Sequence, residues 1–176
     1  MGISCYFWNM NNSTYDMRLL ERDELNVVKA LARDIWPRVY DYMISSEQIS
    51  YMLSMMYDLD KLKQQWLEGG KFVLLEVDGI PQGFVSFEEK EKCVFLQKLY
   101  LRPEMQGQGF GKKMLQVAID FASDSKKPSV ELTVNRNNKF LEFYMSQGFQ
   151  IKEEKDFDIG GGYFMNDYIL SLAVIA

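Results

Sequence analysis

The sequence predicts a mixed α/β fold, in which a sheet of parallel and antiparallel strands carries helices on both faces. Two observations predict it. Strand-like and amphipathic helical segments share the chain, and a three-strand meander is followed by a strand–helix–strand sequence. The chain has 176 residues, enough for a sizeable core, and no stretch has the composition of a domain linker. A single domain over residues 1–176 is therefore expected.

The first seventy residues predict one strand and two helices. The segment YDMRLL (15–20) has the alternation of a strand, and a helix is expected from Asp23 until Pro37 interrupts it. Ser45 begins a second helix with a capping-box pattern, which the glycine pair at 69–70 is expected to end. This part of the chain therefore has the order β-α-α.

From residue 71 the apolar spacing changes from helical to strand-like. KFVLLEV and IPQGFVSFEE flank the hairpin turn Asp78-Gly79, and CVFLQKLYL completes an antiparallel meander. The elements expected after it are a helix over 109–123, the strand SVELTV (129–134), the helix NNKFLEFYMSQ stopped by Gly148, and two strands around glycines 160–162. The order is therefore β-α-α-β-β-β-α-β-α-β-β, and its strand–helix–strand part requires a parallel pair with a right-handed crossover.

Composition excludes several classes of function. The net charge of −5 argues against general nucleic-acid binding, and the absence of histidine excludes His-based triads and imidazole metal sites, so no metal is expected. Cys5 and Cys93 are too few for a disulfide framework. The amino terminus lacks a signal-peptide pattern, and no apolar run reaches the length of a membrane span. A cytoplasmic protein without a membrane partner is expected.

The segment EMQGQGFGKKMLQVAIDFA (104–122) is a poor start to a good helix, since it combines glycines with two lysines in the first turn. It fails the P-loop and dinucleotide-binding patterns, but residues 106–111 fit [QR]-x-x-G-x-[GA] between a strand and a helix. Free amides at a helix start and absent β-carbons form a site for a pyrophosphate, for which Lys112 and Lys113 supply countercharge. The alternative is a plain glycine-rich turn with solvated lysines.

Residues 93–122, with LYLRPEMQGQGFG, are similar to the acetyl-CoA-binding segment of the GNAT superfamily of N-acetyltransferases. A second element of that family, N-x-x-A-x-x-x-Y-x-x-x-G-F, is matched by Asn137, Phe140, Tyr144, Gly148 and Phe149. Phe140 departs from the alanine that the family usually has. The resemblance covers residues 70–150 well. It implies one N-acetyltransferase domain with a mixed, mostly antiparallel sheet flanked by helices, and acetyl-CoA as the acetyl donor.

The resemblance also implies roles for single residues. Tyr144 would donate a proton to the leaving thiolate, whereas the alternative is a helix tyrosine that packs against the sheet. Asn137 would contact the pantetheine, or would only cap a helix. The residues implied in coenzyme binding are Leu99, Tyr100, Leu101, Gln106, Gly107, Gln108, Gly109, Phe110, Gly111, Lys112 and Asn137.

The attacking amine needs a proton acceptor, because at pH 7 an alkyl ammonium loses its proton at a cost of about 4.6 kcal/mol. Many relatives carry a glutamate at the position of Gln97, and an amide cannot act as a base. Glu88, Glu89 and Glu131 are candidates, although solvated strand-end charges are the alternative for each. The base therefore stays unassigned. Cys93 is expected to pack in the core rather than to form an acyl intermediate.

The acceptor is expected to be a primary amine of a small molecule, because the layout and the ending YFMNDYIL look like a bacterial subgroup that acts on polyamines. Aromatic and methionine side chains concentrate in the helical region that lines the acceptor site in this family, where they form either a cation–π cage or core packing. They are Trp36, Tyr40, Tyr42, Tyr51, Met52, Met55, Met56 and Tyr57. Acidic residues that could add negative potential are Asp58, Asp60, Glu154, Asp156 and Asp158.

Two other classes of function compete with the enzyme. One is a GNAT-like domain that binds acyl-CoA without catalysis, as a sensor or partner-binding module, for which the glutamine at 97 argues. The other is a structural α/β domain with a fortuitous glycine turn. A homodimer is compatible with each of these interpretations.

Overall fold

A computed structural model of the chain describes residues 8–10 and 13–174, so Cys5 and the rest of segment 1–7 lie outside the described residues. The elements, in chain order, are β1 Trp8–Met10, β2 Ser13–Leu19, α1 Asn26–Tyr40, α2 Ser46–Met56, α3 Leu59–Leu67, β3 Lys71–Val77, β4 Ile80–Glu89, β5 Val94–Leu101, α4 Phe110–Asp124, β6 Ser129–Asn135, α5 Leu141–Ser146, β7 Gln150–Gly160 and β8 Tyr163–Ala173.

The chain forms two compact units. The first, here the N-terminal unit, comprises Met1–Phe87 and Lys98–Leu115, and the second, the C-terminal unit, comprises Glu88–Gln97 and Gln116–Ala176. Strand β5 and helix α4 each contribute residues to both units. The single domain over 1–176 stays a prediction.

The N-terminal unit contains strands in the order β1-β2-β3-β4-β5, and β1 to β4 pair antiparallel. The predicted hairpin of β3 and β4 is confirmed, with Val77 opposite Ile80 across its turn. Helices α1 to α3 bury their apolar faces, which at about 25 cal/mol per Å² is the main stabilising contribution. Fully buried side chains of this unit include Leu20, Leu25, Val28, Ile35, Tyr57, Leu62, Phe72 and Phe84.

Two helix boundaries differ from the sequence prediction. Helix α1 continues through Pro37 to Tyr40, because Val39 and Tyr40 are buried on its inner face. Their burial, worth about 1.5–3 kcal/mol each, offsets the roughly 3 kcal/mol that an interior proline costs. The second predicted helix is two helices, since the Asp58 side chain accepts from the Asp60 amide at 3.1 Å and caps a new helix, α3. The capping of α2 by Ser45 is confirmed.

The C-terminal unit has the strand order β5-β6-β8-β7. The pair β5 and β6 is parallel, as the strand–helix–strand pattern predicts, and the pairs β6–β8 and β7–β8 are antiparallel. Buried apolar side chains of this unit include Val94, Ala122, Val130, Leu132, Phe149 and Leu170. The predicted fold class, a mixed and mostly antiparallel sheet with helices, is therefore confirmed.

Helix α5 is shorter than predicted and begins only at Leu141. Before it, the Asn135 side chain accepts from the Asn137 amide, and the Asn138 side chain accepts from the Phe140 amide, both at 2.9 Å. These two side chains hold the segment in turns, which compete with helix. Asn137 therefore lies outside the helix and does not cap it. No helix in the described part of the chain is long and apolar enough to cross a membrane.

Candidate functional site

The glycine turn between β5 and α4, residues 106–111, is exposed over its central residues. Gly107 and Gly109 have φ angles of 76° and 84°, in the left-handed region that glycine adopts without a steric cost. A β-carbon added at either position would meet no atom within 4 Å. The turn therefore presents bare backbone with open space beside it, which is the geometry that close approach of a phosphate group requires.

Two glutamine side chains fix the turn from within. The Gln106 amide donates to the carbonyl of Leu101 at 3.3 Å, and the Gln108 amide donates to the carbonyl of Glu104 at 2.8 Å. Both acceptors precede the turn, so the turn is tied to the end of β5. Gln106, which the motif requires, therefore helps to hold the turn in place.

The first turn of α4 leaves backbone donors free for a ligand. The first intrahelical bond runs from the Lys113 amide to the carbonyl of Gly109 at 3.2 Å. The amides of Phe110, Gly111 and Lys112 precede it, so they have no acceptor within the helix. These donors and the positive end of the helix dipole favour an anion.

The two lysines of the first turn have different surroundings. Lys112 is exposed, whereas the Lys113 ammonium donates to the Tyr15 hydroxyl at 2.6 Å and lies 4.2 Å from the centre of that ring. Phe110 packs edge-on against the same ring, with 5.4 Å between centroids. Of the predicted countercharges, Lys112 extends freely into solvent beside the turn, and Lys113 is held by Tyr15.

Helix α1 holds the segment that leads into the turn. Arg102 approaches Asp34 at 3.3 Å, and Arg38 pairs with both Asp34, at 3.6 Å, and Glu104. The hydrogen bond from Arg38 lowers the pKa of the Glu104 carboxyl. Because these side chains are largely exposed, the pairs add little stability, and their effect is to fix the position of the loop.

The end of β5 carries the backbone groups that the resemblance assigns to the coenzyme. Its pairing with β6 comprises only Val94, Phe95 and Leu96 in the described structure, so Leu99 and Leu101 lie beyond that ladder. On the β4 side, Gly83 allows close contact, because a β-carbon there would lie 2.5 Å from the Tyr100 carbonyl oxygen. The end of β5 therefore closely approaches β4 at Gly83 and lies beyond the ladder that the described residues form with β6.

Four aromatic rings of the N-terminal unit surround Tyr100, whose ring is the most accessible of the five. Its centroid lies 5.6 to 6.3 Å from those of the other four, which are Trp36, Tyr40, Tyr57 and Phe84. Those four rings are each at least nine-tenths buried, whereas Tyr100 is half-buried. Of the aromatic residues offered for a cage, Trp36, Tyr40 and Tyr57 are therefore packed in the core, whereas Tyr42 is 51% exposed. Tyr100 is the ring of this cluster that a ligand could contact. Burial also raises the pKa of Tyr57.

Tyr144 and Asn137 belong to the C-terminal unit. Tyr144 lies in α5, with its ring 5.1 Å from that of Phe143 and 5.8 Å from that of Phe149. Burial raises the pKa of Tyr144, so the phenol stays protonated at neutral pH. Asn137 is exposed in the turn before the helix. Tyr144 therefore packs against aromatic neighbours, as expected of a structural helix tyrosine. Its phenol is also protonated, as a proton donor requires.

The carboxylates that the sequence offered as proton acceptors are each engaged by a lysine. Glu88 pairs with Lys90 at 2.6 Å, Glu89 with Lys127 at 2.8 Å, and Glu131 with Lys152 at 2.8 Å.

Cys93 is buried as predicted, and that burial raises the pKa of its thiol, which argues against a nucleophile. The acidic residues 154 and 156 pair with Arg136.

Sequence reasoning missed a buried carboxylate, Asp167, in β8. It is 1% exposed, and neither of its oxygens has a hydrogen-bond partner. Burial raises the pKa of this carboxyl to about 6, while Arg136 lowers it and Asp156 raises it further. The available signal was the only charged residue in the last strand, YFMNDYILSLA. Over residues 8–10 and 13–174, no group of three or more acidic or cysteine side chains could hold a metal ion.

Comparison with known proteins gives three findings. Residues 41–161 match the family model described as an acetyltransferase (GNAT) domain. An uncharacterized N-acetyltransferase of Methanocaldococcus jannaschii is 35% identical over 101 residues, which are 51% of this chain and 44% of that protein. The spermine/spermidine N(1)-acetyltransferase of Bacillus subtilis is 28% identical over 141 residues, which are 74% of this chain and 91% of that protein.

Among solved structures, the chain is similar to the PaiA N-acetyltransferase of Thermoplasma acidophilum, crystallised in complex with coenzyme A. The TM-score is 0.78 at 24% identity, over 90% of this chain and 98% of that one. At this identity the similarity concerns the fold. The chain spans less than half the length of the M. jannaschii relative. The matched family segment contains the glycine turn and Tyr144, and it ends before Asp167.

Proposed function

The chain belongs to the family of GNAT acetyltransferase domains, and we propose that it transfers the acetyl group of acetyl-CoA to a primary amine of a small molecule. The observation that carries this proposal is the glycine turn before α4. It combines two left-handed glycines, open space beside them and amides without helical acceptors. A solvated turn with no ligand would not need that combination.

In the proposed complex, the turn holds the pyrophosphate of the coenzyme. Amides of residues 107–112 donate to the phosphate oxygens, and the exposed ammonium of Lys112 adds countercharge. Backbone groups of Leu99, Tyr100 and Leu101 bind the pantetheine arm, and Asn137 contacts the same arm. The lack of a β6 ladder beyond Leu96 supports the assignment to β5, because strand groups without a ladder partner can bind a ligand.

The proposed reaction is a direct transfer without an acyl-enzyme. The neutral amine nitrogen attacks the carbonyl carbon of the thioester, and the carbon–sulfur bond breaks. Tyr144 then gives its phenol proton to the leaving thiolate, and the acetylated nitrogen loses one proton to become the amide. Burial raises the pKa of Tyr144, which keeps the phenol protonated and makes it a weaker acid, so the support for this role is its position in the family motif. Buried Cys93 and the absence of histidine argue against a covalent intermediate.

Polyamines are the first class of acceptor to test. The net charge of −5 favours a polycation over an anion. Tyr100 offers a partly accessible ring to an ammonium group. The B. subtilis relative that aligns over most of its length is named for spermine and spermidine. These three observations together support a polyamine.

The first experiment tests the coenzyme. Isothermal titration with acetyl-CoA and with CoA should show saturable binding by the wild type and none by Gly109→Glu, whose side chain enters the proposed phosphate site. Gly162→Glu is the matched control, because Gly162 has a similar φ of 81° and equally open surroundings in the β7–β8 turn. Loss of binding in both variants, or in neither, would remove the pyrophosphate assignment.

The second experiment tests the chemistry. We would assay acetyl transfer to spermidine, to monoamines and to amino acids, with Tyr144→Phe as the variant without the phenol. Turnover that falls at least tenfold in Tyr144→Phe, with unchanged coenzyme affinity, is the expected result. Coenzyme binding without turnover on any amine would instead favour an acyl-CoA-binding module without catalysis.

A further inference from the structure

Asp167 lies at the end of the β6–β8 ladder, while its pairing with β7 continues beyond it. It is opposite Asn135, the last residue of β6, and its side chain shares a face of the sheet with that residue. The β5–β6 ladder ends at Leu132, three residues earlier. Asn137, the implied pantetheine contact, follows two residues after Asn135. Asp167 therefore lies close along the sheet to the segment that the coenzyme is proposed to contact.

The two cations near Asp167 contact other groups and form no ion pair with its carboxylate. The two terminal nitrogens of the Arg136 guanidinium pair with Glu154, at 2.8 Å, and with Asp156, while its buried Nε has no hydrogen-bond partner. Lys155, the register partner of Asp167 on β7, has its ammonium over an aromatic ring of its own strand. Neither cation forms a salt bridge with Asp167 in the structure described, so both carboxylate oxygens keep their acceptor capacity.

A buried carboxylate with no donor is unfavourable for folding, because the charge loses its hydration and gains nothing in return. Other carboxylates in the described residues come less close to that state: Glu88, Glu89 and Glu131 each have a lysine, Asp58 caps a helix, and Asp16 has only one buried oxygen without a partner. Groups that are kept ionisable at such a cost concentrate at functional sites. Asp167 is the residue of the C-terminal unit that combines deep burial, a carboxylate and two unpartnered oxygens.

We propose that Asp167 is the proton acceptor for the amine substrate, which it reaches directly or through one water molecule. This inference rests on the proposed acetyl transfer. It supplies the base that Gln97 cannot provide, and it places that base on a strand where the sequence showed no candidate.

The proton and electron balance of the step is complete. One N–H bond of the substrate ammonium breaks, and the proton forms an O–H bond on a carboxylate oxygen of Asp167. The electron pair left on nitrogen forms the C–N bond to the acetyl carbon, and the carbon–sulfur pair leaves with the thiolate. The thiolate takes the phenol proton of Tyr144. The acetylated nitrogen then loses its second proton, which returns through solvent to the Tyr144 phenolate, and Asp167 releases its proton to solvent.

The test is a pH–rate comparison of the wild type, Asp167→Asn and a control, Asp120→Asn, in which an exposed carboxylate on α4 undergoes the same change. With the amine that the wild type turns over fastest, we expect kcat of Asp167→Asn to fall about 10²- to 10⁴-fold at pH 7. The deficit should shrink about tenfold per pH unit above pH 7, because the neutral fraction of the amine rises by that factor. A fluorinated analogue of the amine, with a lower pKa, should show a smaller deficit. The affinity for CoA should not change.

A second variant covers the case in which Asp167→Asn does not fold. Arg136→Gln keeps the carboxylate and removes the cation that lowers the pKa of Asp167, so the acid limb of the wild-type pH–rate profile should move to higher pH. A purely structural Asp167 would leave that limb in place. An effect of Asp167→Asn on KM alone, or an unchanged kcat, would overturn the inference while the proposed function stands. A wild type without turnover on every amine would overturn both.

Discussion

Replacing Asp167 by asparagine removes the charge of a buried carboxylate and keeps the shape of the side chain. Burial raises the pKa of this carboxyl from 3.8 to about 6, with Arg136 opposing the rise and Asp156 adding to it. The folded protein therefore binds this proton more tightly than the unfolded chain does. Ionisation of Asp167 at neutral pH must consequently lower the free energy of unfolding.

The size and the pH range of this effect follow from the two pKa values. The difference between 3.8 and about 6 corresponds to about 3 kcal/mol. This penalty is complete above about pH 7, shrinks as the pH falls through about 6, and is below about 1 kcal/mol at pH 4. An asparagine never ionises, so the variant should escape the penalty, apart from the smaller cost of a buried amide.

The assay is urea unfolding of the wild type, Asp167→Asn and Asp120→Asn at pH 7 and at pH 4. We expect Asp167→Asn to be more stable than the wild type by about 1–3 kcal/mol at pH 7 and nearly equal to it at pH 4. Asp120→Asn should stay within about 0.5 kcal/mol at both pH values. A variant that is destabilised at pH 7, or stabilised equally at both pH values, would refute the reasoning.

Three further predictions concern the N-terminal unit. Gly83→Ala should lower the free energy of unfolding by about 1–3 kcal/mol, because its β-carbon would press on the Tyr100 carbonyl; an unchanged melting temperature would contradict the close approach. Asp58→Ala should cost about 1 kcal/mol in urea unfolding while Asp58→Asn costs less, and equal losses would argue against a capping role. Lys112→Met should weaken CoA binding by up to about tenfold in calorimetry. Lys113→Met should instead lower the free energy of unfolding by about 1 kcal/mol, because it removes the contact with Tyr15. Weaker CoA binding in Lys113→Met and lower stability in Lys112→Met would contradict these assignments.

Most of the fold was predictable because local signals agree with the tertiary structure. Asp78-Gly79 is a hairpin turn by its composition alone, and the flanking strands then fix the meander. The parallel pair of β5 and β6 follows from a strand, a helix and a strand in sequence, since the crossover has a single favoured hand.

The errors fell where tertiary contacts or capping override periodicity. Pro37 should end a helix in isolation, but the burial of Val39 beyond it favours continuation. Asp58 follows a continuous helical pattern of apolar residues, so the break between α2 and α3 depends on one side-chain hydrogen bond. Asn135 and Asn138 likewise replace the first turn of the predicted α5 by local turns.

The candidate site was predictable in its motif and not in its electrostatics. The spacing of Gly107 and Gly109 identifies the turn, and the structure gives both the left-handed φ angles that make glycine necessary there. The burial of Asp167 could not be predicted, because alternation along β8 does not separate buried from exposed positions: Phe164 is 55% exposed, whereas Leu170 on the same face is fully buried. The burial of one carboxylate depends on the packing of distant segments, which alternation along a strand does not encode.

The chain contains no histidine, so the side chain that usually exchanges protons between pH 5 and 8 is missing. Asp167, with its pKa of about 6, exchanges a proton in that pH range instead. Between pH 5 and 6, unfolding should therefore release protons mainly from this one carboxyl. The heat of unfolding would then depend on the ionisation enthalpy of the buffer, and calorimetry in two buffers would count the protons that a single buried side chain holds.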